Sequence, residues 1–141
     1  MEFIKDWKFL TNLIKEKTHL DIKKFWKAIA EQDAEKIRSY FNKTATIRWH
    51  NTNEQFTLEE FIKANCEYPG KWEAEVERIE KIDNLIITAV KVFNNNTSVH
   101  ATSFIKIEDD KIISMDEYWG DDGKPPQWRL DMKIGTAIKL L

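Results

Sequence analysis

Apolar side chains recur along this chain in two rhythms, and the change falls near Lys71. In the first half the steps are three and four. Phe3, Trp7, Leu10 and Ile14 form one such stripe, which predicts a helix over residues 3–16. Thr18-His-Leu-Asp21 reads as the next helix start, with Thr18 as cap and Asp21 in the first turn. Ile22, Phe25, Trp26, Ile29 and Ala30 give that helix its apolar face. Asp33 is placed to cap a third, short helix from Ala34 to Phe41, with Ile37, Tyr40 and Phe41 on its buried side. Thr44 to His50 alternates and is β-branched, so a strand is predicted, followed by turn residues Asn51-Thr-Asn53. Thr57-Leu-Glu-Glu60 has the spacing of a capping box and opens a helix to about Glu67, which Pro69-Gly70 ends.

From Lys71 onward the period is two. Strands are predicted over 72–82, 85–93, 98–107 and 111–119. Asp83-Asn84 and Asn94 to Asn96 supply turns, and Asp109-Asp110 marks a tight hairpin. Asp121 to Pro126 reads as loop, and residues 127–141 as a tail of mixed apolar content. Helices, one strand, a helix and then a four-strand antiparallel meander make an α+β pattern: one curved sheet with helices on one face. No internal repeat, linker or low-complexity stretch divides the 141 residues, so a single domain is expected.

Composition narrows the function classes. A chain of about this length buries roughly 70% of its unfolded surface, enough for a core that holds a pocket. Charge is nearly balanced, 22 Lys+Arg against 24 Asp+Glu, and no basic block argues for nucleic acid. No apolar run is long enough to span a membrane, and the first residues lack the pattern of a signal peptide. The single cysteine, Cys66, has no internal disulfide partner. These features together imply a soluble protein in a reducing compartment such as the cytoplasm. Six Trp stand among seventeen aromatic residues, which reads either as an aromatic core or as an aromatic-lined pocket.

One acid breaks the pattern. On the last predicted strand, Ile113, Met115, Glu117 and Trp119 share a face. A carboxyl group between Met and Trp lies either at a wet rim or in a cavity, and burial would raise its pKa.

The order of elements resembles the nuclear transport factor 2-like superfamily, which includes ketosteroid isomerase and the SnoaL-like polyketide cyclases. The likeness rests on Ala28 to Phe41 as helix, turn and helix, on Asn42 to Trp49 as first strand, and on Phe104 to Met115 as closing hairpin. Glu117 to Arg129 resembles the tail of a bacterial SnoaL-like subgroup. The resemblance covers the chain from about residue 18 and makes residues 1–17 a helical addition. It implies a cone-shaped α+β fold whose mostly antiparallel sheet and concave-face helices enclose a pocket for a small apolar molecule. It also implies a homodimer through the convex face, with the outward residues of 72–82 and 85–93 as contacts.

The same resemblance can be tested against the isomerase. The position of its general base is Trp49, that of its oxyanion tyrosine is Phe25, and that of its protonated aspartate is Thr102. Enolate chemistry needs a base and strong donors, so a ketosteroid isomerase is not expected. The resemblance instead turns His100, Thr102 and Phe104 inward, across from Met115, Glu117 and Trp119. His100 and Glu117 are then the candidate acid–base pair. Each has a structural alternative: Glu117 in a salt bridge with Arg48 or Arg129, and His100 as a hydrogen-bonded core or rim residue. Trp26, Tyr40, Trp49, His50, Cys66, Thr102, Met115 and Trp119 complete the candidate ligand-binding set, with Cys66 as a small apolar residue rather than a nucleophile. His50, His100, Glu117 and Asp121 lack metal-ligand spacing, and no glycine-rich phosphate loop occurs, so neither metal nor cofactor is expected. Three functions fit: a cofactor-free isomerase, cyclase, dehydratase or hydrolase; a non-catalytic binder; or a dimerisation scaffold whose cavity is plugged by aromatic side chains.

Overall fold

The computed structural model describes residues 20–139. The helix expected over 3–16 and the cap expected at Thr18 lie outside them. Helix α1 spans Ile22–Glu31, and Asp21 is its cap rather than a first-turn residue: its carboxylate accepts from the Lys24 amide at 3.1 Å. Ile22, Phe25, Trp26 and Ile29 are buried, as the three–four spacing requires. Gln32 ends the helix in the left-handed region, at φ 57°. Asp33 caps α2, which spans Ala34–Ser39. That helix is shorter than expected, because Tyr40 closes the turn onto Ile37 and Phe41 already pairs with Ile112 as the first strand residue.

Strand β1 runs Phe41–Trp49 and β2 runs Glu54–Thr57. The sequence pattern gives no sign of β2, since four residues cannot establish a period against flanking Asn and Thr. Thr57 then opens α3, Leu58–Glu67, with both halves of the capping box formed. The meander follows: β3 Glu73–Ile82, β4 Leu85–Phe93, β5 Ser98–Glu108 and β6 Lys111–Asp121. A short helix α4, Gln127–Asp131, stands in the tail.

The six strands form one sheet in the order β2-β1-β6-β5-β4-β3. All neighbours are antiparallel except β1 and β6, so the first strand lies beside the last. Helix α1 packs on β3 and α3 packs on β1. The core fills the space between helices and sheet, from Phe25, Trp26 and Ile37 to Ile47, Phe61, Val90, Ile105 and Met115. No helix among the described residues is long and apolar enough to cross a membrane.

Parity on β5 differs from the expectation. Ala101, Ser103, Ile105 and Ile107 are buried, whereas His100, Thr102 and Phe104 face outward. The apolar alternation lies on the odd positions. Phe104 is the one large apolar side chain on the even ones, and it is 37% exposed. On β6 a register shift near Ile113 buries Ile112 in its place, and Met115 and Glu117 keep their inward parity.

Candidate ligand-binding site

Glu117 is an inward residue of β6 and is 1% exposed. Its cross-strand neighbours are Trp49 on β1 and Ser103 on β5. Both donate to it: Trp49 Nε1 to Oε1 at 3.1 Å, and Ser103 Oγ to Oε2 at 2.6 Å. Ser103 in turn pairs with Thr88 on β4, whose Oγ1 accepts from Trp26 Nε1 at 3.3 Å. Glu117, Ser103 and Thr88 are the buried polar residues among those described, and they form one row across the sheet. Burial pushes the Glu117 carboxyl up to about 7, and the two hydrogen bonds hold it from rising further.

Beside this row a cavity of about 350 Å³ lies between the helices and the sheet. Trp49, Trp72, Trp119 and Tyr68 wall it, with Ile29 and Val92 among the aliphatic lining. Glu117 does not line it; Trp49 both lines the cavity and bonds the acid. Two amides brace the helical wall. Gln32 Nε2 donates to the carbonyls of Asn65 and Tyr68, and Asn65 Nδ2 donates to that of Ile29. They tie the end of α1 to the end of α3. Asn51 Oδ1 accepts from the Trp119 amide at 2.7 Å and fixes the rim. Trp119 Nε1 is the one buried side-chain donor or acceptor without a partner among the described residues.

The candidate residues divide. Trp49 and Trp119 line the cavity. Met115 and Trp26 are core, and Tyr40 packs edge-on against Phe25 away from the cavity. Cys66 is half-buried on α3, and burial pushes its thiol up, which leaves it a poor nucleophile. Thr102 is exposed on the outer face, which removes it from the position that the resemblance gave it. His50 is also outside: it stacks on Tyr118 at 4.4 Å and reaches Asp116 at 2.8 Å.

His100 and Glu117 do not meet. His100 lies on the opposite face, with Nδ1 at 2.5 Å from Asp122 and Nε2 at 2.9 Å from Glu77. The odd–even alternation of β5 dictates this separation. Arg48 pairs with Asp116 rather than Glu117, so the structural alternative for the acid is a hydrogen-bonded row and not a salt bridge. Among the cavity residues missed from the sequence are Gln32, Asn51, Asn65, Tyr68, Trp72 and Asp121. Most sit at element ends, where period carries no information about facing.

Backbone comparison places the fold among known ones. The chain superposes on a Kribbella flavida protein named for ketosteroid isomerase with a TM-score of 0.73, at 18% identity over 89% of this chain and 93% of that one. The chain has the nuclear transport factor 2-like fold. A nuclear transport factor 2-like protein of unknown function from Burkholderia xenovorans gives 0.66 at 22% identity, covering 80% and 89%. A Jannaschia protein named as a SnoaL-like polyketide cyclase gives 0.61 at 13% identity, covering 70% and 81%. No protein-family model matches the chain, and no curated protein matches it in sequence.

Proposed function

We propose that this protein binds a small apolar molecule in the tryptophan-walled cavity and does not use Glu117 and His100 as an acid–base pair. The observation that carries this reading is the composition of the cavity wall, with three Trp and a Tyr, and with Glu117 behind Trp49 rather than on the surface. Pockets for small molecules have this makeup, with apolar walls and a few placed polar groups. Both Glu117 oxygens are already engaged by donors, and the imidazole that would have tuned it is on the far side of the sheet.

A titration of tryptophan fluorescence across a panel of small apolar metabolites, with mass analysis of each compound afterwards, tests the reading. Saturable quenching, weakened in Trp119→Leu and unaccompanied by product, is expected. Product formation that Glu117→Gln abolishes would overturn it in favour of an enzyme.

A second copy of the chain is proposed to cover the convex face, where Phe104 and Tyr118 stand exposed on the adjacent strands β5 and β6 and Ile82 stands exposed on the edge strand β3. Phe104 packs edge-on against Tyr118 and extends the apolar patch over β5 and β6. Sedimentation at micromolar concentration should give a dimer, and a monomer there would contradict it.

A further inference from the structure

The cavity has an electrostatic bias. Among the described residues, Asp121 is the one acid lining it, and no Lys, Arg or His lines it. Asp121 makes no ion pair or side-chain hydrogen bond among the described residues. Its neighbour Asp122 behaves in the opposite way. Strand alternation turns Asp122 to the outer face, where Ser98 Oγ donates to it at 2.6 Å and His100 lies at 2.5 Å. One acid of the pair is fully engaged, and the other is left free at the cavity.

The remaining polar groups reinforce the bias. Donors that could hold an anion are mostly spent on the protein itself. Gln32 Nε2 and Asn65 Nδ2 serve carbonyls of α1 and α3, and Trp72 Nε1 donates to the Pro69 carbonyl at 2.9 Å. Gln32 gives both of its amide hydrogens to the Asn65 and Tyr68 carbonyls and has only its oxygen left to offer. Aromatic rings add to this, since each face carries the negative lobe of a quadrupole. Four of them, Trp49, Tyr68, Trp72 and Trp119, wall a space of about 350 Å³.

We propose that the cavity selects a small organic cation, an apolar molecule bearing a substituted ammonium group, with the aromatic walls around the alkyl substituents and Asp121 as the counter-charge. This rests on the reading that the cavity is a ligand site and adds the charge of the ligand. A substituted ammonium spreads its charge over apolar carbon, so it loses little hydration on entering and gains from the ring faces. A metal ion or a primary ammonium would lose far more hydration there, and an anion would meet Asp121 with few free donors.

The test uses choline as the cationic probe, and its neutral isostere in which a tert-butyl group replaces the trimethylammonium group. Both are titrated calorimetrically into the full chain and into Asp121→Asn. Choline is expected to bind roughly three- to thirty-fold more tightly than the isostere. Asp121→Asn should weaken choline about threefold or more and leave the isostere unchanged, and added salt should weaken choline alone. Asp121 is exposed, so the variant retains its fold. Equal affinity for the two probes overturns the inference and leaves the binding site standing. Binding of neither overturns both.

Discussion

Ser103 and Glu117 stand directly opposite each other on β5 and β6, and the serine hydroxyl donates to the carboxylate over 2.6 Å. Trp49 completes the arrangement from β1. A carboxyl group in such a site is caught between two effects. Burial favours the neutral acid, and the two donors favour the carboxylate. Burial wins, and the group titrates near neutrality at about 7. The row therefore changes charge in the pH range where most proteins are electrostatically quiet.

Stability should depend on pH through this one group. The folded pKa lies above the unfolded one, so the native state holds the proton more tightly. The contribution is fully present below about pH 4.5 and is lost as pH rises toward about 7, after which it stays lost. The linkage amounts to about 3 kcal/mol across that window. Glu117→Gln has no such proton to lose. Denaturant unfolding at about pH 5 and about pH 8.5 should show the variant gaining on the parent by roughly this amount between the two values. Parallel stability curves for the two proteins would contradict the assignment.

The titration should also be visible at the cavity wall. Trp49 Nε1–H donates to Glu117 Oε1, and this donor bond is stronger to a carboxylate than to a neutral acid. The indole proton resonance of Trp49 should move downfield as pH rises, with a midpoint near 7. The same resonance in Glu117→Gln should stay flat. A midpoint in the ordinary carboxylate range would mean that water reaches the acid.

Much of this was legible in the sequence, and the reasons differ by element. The three–four spacing of Ile22, Phe25, Trp26 and Ile29 predicted a buried helix face, and those residues are buried. Strand parity put Met115 and Glu117 on one face of β6 and the resemblance turned that face inward, where both are buried. The resemblance turned the even positions of β5 inward, against the alternation of Val99, Ala101, Ser103, Ile105 and Ile107. That alternation is the hydrophobic signal. Phe104 and Tyr118 are apolar because they pack on each other on the outer face. Strand β2 and the cavity rim were out of reach. Four residues carry no period, and Gln32, Asn51 and Tyr68 take their places from backbone turns rather than from periodic burial.

His100→Gln separates the outer face from the cavity. The ring is held by Asp122 and Glu77 on the face away from Glu117. Ligand affinity should therefore change by less than about twofold, since no cavity residue loses a contact. Lys139 also reaches Glu77, at 3.2 Å, and keeps that partner when the imidazole is gone, so hydrogen exchange in the tail should not speed up. A loss of ligand binding without a change in the tail would bring His100 back as a site residue.

Ser103→Ala tests the row from the other side. Removing the hydroxyl takes away one of the two groups that favour the carboxylate, so the Glu117 pKa should rise above its present value of about 7. The cost should accordingly grow with pH. Hydrogen bonds to charged groups contribute roughly 1.5–3 kcal/mol, and that is the loss expected at about pH 8.5. At about pH 5 the acid is protonated, and the loss should shrink to the roughly 1 kcal/mol of a neutral bond. The double variant Ser103→Ala/Glu117→Gln isolates the pair. If the two side chains act on each other as the 2.6 Å contact implies, the coupling measured in that cycle should be larger at the higher pH. A coupling that is the same at both values would mean that the serine supports the strand and not the charge.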